Sequence, residues 1–227
     1  MGYREILLRL QCDKAILEIF DGKIKMPSHT FESPFDPAYG FPPSVIPICS
    51  TGSWPGYIGV AHHWFGTEPD SFVRYNSEDS EIIEIARDID QFRAWLVFDF
   101  ICNVPDADEV GEFSEAIGFC ERSRLDSYFS SCDDPEDLVN LEVFSSNVPS
   151  VLATPNGSPG WISNFGSFEH LVHSGKVDLA WYSLSSPGWT ASEVAVRLNE
   201  LRVFRSDKDF SELVSSWNSC NGKTWWW

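Results

Sequence analysis

Basic side chains are scarce in this chain. Sixteen Lys and Arg stand against thirty-four Asp and Glu in 227 residues, a formal charge of -18. The deficit runs throughout: residues 1–105 carry 8 basic and 15 acidic side chains, and residues 106–227 carry 8 and 19. Such a field repels nucleic acid and anionic lipid and speeds encounter with a basic protein, so neither nucleic acid nor membrane is expected as a partner. Long apolar runs are also missing. The longest candidate, 95–102, falls far short of the roughly 20 residues of a membrane span and is broken by Asp99. At the N-terminus Arg4, Glu5 and Arg9 interrupt the leucines, so the apolar centre of a secretory signal is lacking and a cytoplasmic location is expected. The six cysteines, at 12, 49, 102, 120, 132 and 220, form no CxxC pair and no zinc spacing, which points to free, mostly buried thiols.

Catalytic signatures are absent in the same way. There is no Gly-x-Ser-x-Gly elbow, no cysteine motif with a recognisable base, and no glycine-rich phosphate cradle of either common type. Paired carboxylates carry no information here, because thirty-four acids guarantee chance pairs. Three patterns remain. His62 and His63 precede Trp64, but strand neighbours point to opposite faces, so a structural role for His63 is expected over shared metal binding. His170 and His173 share a helical face beside Glu169, without an HExxH motif. The run Asp133, Asp134, Glu136, Asp137 lacks the alternating ligands and central glycine of a calcium loop. No catalytic residue, metal or cofactor is therefore expected, and the protein reads as a non-enzyme.

Ten Trp and seventeen Phe supply ample core material. Residues 3–20 place apolar side chains at helical spacing, closed by Asp21-Gly22, although the same dipeptide also suits a hairpin turn between 15–20 and 23–26. Residues 27–47 hold six prolines, an extended ordered loop that Phe31, Phe35, Tyr39 and Phe41 would pin to the body. Strand-like runs follow at 45–49, 57–64, 71–76 and 81–85, with gaps short enough for antiparallel neighbours. Asp88 or Asp90 can cap the next helix, which runs towards 103–105. Beyond Pro105 the chain becomes more acidic, with twelve acids against Arg122 and Arg124 between Asp106 and Glu142. Helical patterns cover 106–121, 133–142, 167–174, 190–202 and 207–219, with Thr190 and Glu193 at capping-box spacing, while 176–184 reads as a strand. Residues 149–160 form a turn-rich connection. The terminal Trp225, Trp226 and Trp227 are expected to pack on the body or a second subunit, a cloning remnant being the alternative. The expectation is an α+β fold: an antiparallel sheet with packed helices over 1–105, and a mainly helical, acidic half over 106–227 packed on it as one unit.

Within the β region the order of short patterns resembles the SUKH superfamily (the SMI1/KNR4 group). The residues that carry the likeness are Val45-Ile46-Pro47-Ile48-Cys49, Gly52, Trp54, Tyr57-Ile58-Gly59 and His63-Trp64-Phe65. Phe72-Val73-Arg74-Tyr75, Ile82-Ile83-Glu84-Ile85-Ala86 and the helix opening Asp90-Gln91-Phe92 continue it. It spans about residues 35–103. The resemblance implies a mixed α+β protein-binding scaffold, and for a bacterial member an immunity protein that neutralises a cognate polymorphic toxin by occluding its active site. A basic nuclease toxin suits the charge of this chain. On that reading Asp106, Asp108, Glu109, Asp133, Asp134, Glu136 and Asp137 contribute the acidic surface, and Trp54 and Trp64 are candidate apolar anchors, burial in the fold being the competing fate of both tryptophans. Two other readings stay open, an enzyme or metal-binding protein acting on a small molecule and a regulatory interaction scaffold. Oligomeric state is not legible.

Overall fold

The chain begins with two short helices where the apolar spacing predicts one. The computed structural model describes residues 2–24, 31–32, 40–51, 56–67, 69–76, 81–103, 107–119, 167–185 and 188–221. Helix α1 covers Tyr3–Arg9 and α2 covers Lys14–Phe20. The break falls at Gln11, whose φ of 56° is left-handed, while Cys12 N–H returns to Leu7 O at 3.1 Å and Gln11 N–H to Leu8 O at 3.1 Å. This is a helix-ending αL turn with glutamine where glycine is usual, so no glycine announces it. Asp13 then restarts the helix by accepting from Ala15 N–H at 2.8 Å. Asp21-Gly22 closes α2 by the same device, with Gly22 at φ 68° and Lys23 N–H on Glu18 O at 2.8 Å. That resolves the helix-or-hairpin alternative in favour of the helix.

Five strands follow in sheet order β1-β2-β3-β4-β5, all antiparallel: Phe31–Glu32, Val45–Thr51, Gly56–Ala61, Ser71–Asn76 and Glu81–Ala86. The chain leaves β3 at Ala61, so His62 to Trp64, expected in the strand, lie beyond it. Pro47 cannot donate to a neighbour, and the β2–β3 register slips between Pro47 and Cys49. All six residues of β3 are buried, so the centre of the sheet is covered on both faces. On one face Tyr57 meets the ring of Phe41 at 4.9 Å, and Phe41 meets Tyr3 of α1 at 5.7 Å. On the other, Phe72 stacks on Phe92 at 4.1 Å.

Phe92 belongs to α3, Ile89–Asn103, which Asp88 caps by accepting from Gln91 N–H at 2.8 Å. Apolar residues lie all round α3, as suits a helix enclosed by the fold. It packs against β5 and against α4, Ala107–Ala116, where Phe100 stacks on Phe113 at 4.8 Å.

The second half adds α5, Phe168–His173; α6, Val177–Ser183; α7, Ala191–Leu201; and α8, Lys208–Asn221. The Thr190–Glu193 capping box is formed as its spacing predicts. The strand expected over 176–184 is instead helix α6. Gly175, at φ 75°, ends α5 with Lys176 N–H on Leu171 O at 2.9 Å and turns the chain straight into the next helix. Residues Ala180, Trp181, Tyr182 and Ser183 are all buried, and a run buried at four consecutive residues has no amphipathic period to betray its type.

The architecture is α+β, a sheet and its helices first and a helical part after. The two halves share one core. Trp64 packs on Phe210 of α8 at 5.6 Å, His63 Nδ1 bonds the Tyr182 hydroxyl at 2.5 Å, and Ser185 Oγ donates to Ser44 Oγ at 2.5 Å, all buried. Among the described residues no helix is long and apolar enough to cross a membrane.

Candidate functional site

Helix α4 is the element to which charge and exposure point. Val110, Phe113 and Ile117 form its buried stripe against α3, and Asp108, Glu109, Glu112 and Glu115 stand on the exposed side. Acids at 108, 112 and 115 recur at helical spacing, so one surface carries them. The first two acids also sit in the first turn, where negative charge suits the positive end of the helix.

This face gathers three exposed acids without counter-charge among the described residues, whereas many of the other described acids are paired. Arg4 and Lys23 hold Asp21, and the Arg4 bond first and the Lys23 bond second keep that carboxyl far below its usual range. Arg9 spans Asp209 and Glu212, joining α1 to α8. Arg93 serves Asp13 and Asp90, Arg87 serves the buried Glu84, Arg197 serves Glu169 and Glu200, and Arg205 serves Asp207. Asp207 also caps α8. Burial alone would raise its pKa, but the Phe210 N–H and then Arg205 outweigh that and lower it. Glu109, Glu112 and Glu115 have no cationic partner among the described residues.

Of the acids expected to line a partner surface, Asp108 and Glu109 are therefore placed together and exposed. Asp106, Asp133, Asp134, Glu136 and Asp137 lie outside the described residues, as do Trp54 and the terminal tryptophans. Trp64 is corrected as a partner anchor. It is 1% exposed, enclosed by His62, Phe210 and the guanidinium of Arg205, which lies 5.2 Å from its ring and donates to its backbone carbonyl. Its indole is spent on joining the end of β3 to α8. Glu112 and Glu115 complete the face without having been singled out by sequence, although their spacing opposite Val110, Phe113 and Ile117 is the signal that finds them.

Three of the four candidate histidines are engaged within the fold. His62 Nδ1 meets Asp70 Oδ1 at 2.6 Å, while buried His63 is bound to Tyr182, so the two imidazoles serve separate partners. His173 Nδ1 bonds the Glu169 carbonyl at 2.6 Å, and among the described residues no three His, Cys, Asp or Glu side chains are grouped to hold a metal ion. Cys12, Cys49 and Cys220 are free thiols. Burial pushes Cys12 up to about 12, with Asp70 and Asp13 adding to it, and burial raises Cys49 and Cys220 as well. Protonated thiols are poor nucleophiles. Iodoacetamide at about pH 8 should leave Cys12 and Cys49 unmodified in the native protein and label both in urea, read by peptide mapping. Rapid native labelling of either would show an accessible thiolate.

Comparison with protein-family models, with curated proteins and with solved structures returns no match for this chain.

Proposed function

We propose that the protein is a binding protein of the SUKH immunity type, which recognises a basic toxin through acidic surface and blocks its active site by occlusion. The observation that carries this reading is the exposed face of α4, where Glu109, Glu112 and Glu115 stand without a cationic partner among the described residues, while many other described acids are held by arginine. Carboxylates left unneutralised on one helix face retain their full field towards solvent, which raises the encounter rate with a cationic cleft. The net charge of -18 extends the same attraction to longer range. A toxin cleft built to hold phosphate supplies the complementary charge.

The test pairs this protein with the product of the adjacent reading frame, in a surface-binding measurement over a range of salt. The association rate should fall steeply as salt rises. The double substitution Glu109→Lys, Glu112→Lys should slow association about tenfold at low salt while changing dissociation little, because charges at the edge of a contact act mainly on encounter. An association rate indifferent both to salt and to these substitutions would sink the proposal. So would turnover of a small molecule by the purified protein with no protein partner bound.

A further inference from the structure

The turn between α7 and α8 reverses the character of the surface around it. Arg202 caps α7, and the next two residues, Val203 and Phe204, are 83% and 50% exposed, an adjacent pair of large apolar side chains in water. Beside them lies an open concavity of about 310 Å³ lined by Asn199, Arg202, Val203, Ser206 and Ser211. Its lining is one guanidinium, one carboxamide, two hydroxyls and one apolar side chain. No carboxylate contributes among the described residues.

Arg202 also differs from six other described arginines. Arg4, Arg9, Arg87, Arg93, Arg197 and Arg205 each hold a carboxylate, whereas the contact of Arg202 is a 3.5 Å approach to Asn199 Oδ1 on its own helix, with no carboxylate partner among the described residues. Asp207, the nearest acid along the chain on that side, is turned to Arg205 and to the Phe210 N–H. A guanidinium held beside neutral hydrogen-bonding groups is suited to a bidentate grip on a carboxylate.

We propose that this concavity binds a carboxylate side chain, an aspartate or glutamate flanked by an apolar residue on a partner protein. Arg202 takes the carboxylate, Ser206, Ser211 and Asn199 offer further hydrogen bonds, and Val203 with Phe204 covers the apolar neighbour. The concavity is open, so a chain can pass across it and present a side chain from its middle. This surface goes beyond the acidic face of α4. The two carry opposite charge, and either stands if the other fails.

The probe is the blocked peptide acetyl-Leu-Asp-Leu-amide, titrated to about 10 mM into the full-length, ¹⁵N-labelled protein. Resonance shifts are expected at Asn199, Arg202, Val203, Phe204, Ser206 and Ser211. The Asn counterpart of the peptide should produce none of them. Arg202→Gln should weaken binding about tenfold and Arg202→Lys should recover part of it, since a point charge replaces a fork. Phe204→Ser, at an exposed site, should weaken binding several-fold and provides a second variant if Arg202→Gln unfolds. The proposal is overturned if no shifts arise, if the Asn peptide binds equally, or if both variants bind as the parent does. It is overturned too if acetate alone, or a peptide ending in a free carboxylate, competes as well as the internal aspartate. Self-association in sedimentation that Phe204→Ser abolishes would assign the face to a second copy instead.

Discussion

Trp217→Ala should cost about 3–5 kcal/mol of stability, the range for removing a large aromatic from a packed core. Trp217 is fully buried on α8, and its indole N–H donates to the Phe41 carbonyl at 2.9 Å. One turn later Asn221, also buried, accepts from the Phe41 N–H at 2.9 Å and donates to the Trp217 carbonyl at 3.1 Å. Both polar groups of one backbone unit are thus satisfied by the last helix, much as a neighbouring strand would satisfy them. The milder Trp217→Phe keeps most of the ring volume but leaves the Phe41 carbonyl without its donor, at about 1–3 kcal/mol. Urea unfolding with an unchanged denaturant slope reads both. A loss below about 1 kcal/mol for the alanine variant would mean that α8 is not part of the common core.

Gly59→Ala should be nearly as damaging, about 3 kcal/mol, the upper end of what overpacking usually costs. Gly59 lies in β3 opposite Pro47 on one side and Val73 on the other. A Cβ there would stand 2.5 Å from the Ile46 carbonyl oxygen, 2.7 Å from Val45 Cγ1 and 3.0 Å from the Ile46 carbonyl carbon. Two of these three are main-chain atoms, so moving the Val45 side chain does not relieve the clash, and β2 must part from β3. The close approach lies beside the register slip at Pro47. The substitution should lower the yield of soluble protein and the urea midpoint together. A variant within about 1 kcal/mol of the parent would show that the strand spacing yields easily.

The β region was legible because its signals are local. Four runs of β-branched and aromatic residues, separated by short turn-rich gaps, leave antiparallel neighbours as the economical arrangement, and β2 to β5 lie close to their expected places. The capping box at Thr190 and the cap at Asp88 were legible for the same reason, since each depends on residues within three positions. The failures were of another kind. The break at Gln11 uses left-handed backbone without glycine, and the second half of α6 is buried at four consecutive residues, so its apolar residues carry no period. The candidate acidic face was half legible: composition located acid after Pro105, but that Glu109, Glu112 and Glu115 lack counter-charge among the described residues depends on where the described arginines reach.

Alone, the sequence determined the charge of the protein, its fold class and the approximate extent of most described elements, because these depend on composition, on period and on neighbours a few residues away. Tertiary structure decided which acids keep their field and which are neutralised, that Trp64 is enclosed while Val203 and Phe204 are exposed, and that Phe41 is held from 176 and 180 residues away by Trp217 and Asn221. Those outcomes rest on contacts between distant parts of the chain. Burial and pairing follow from the folded arrangement in space, which residue order specifies only through the whole fold.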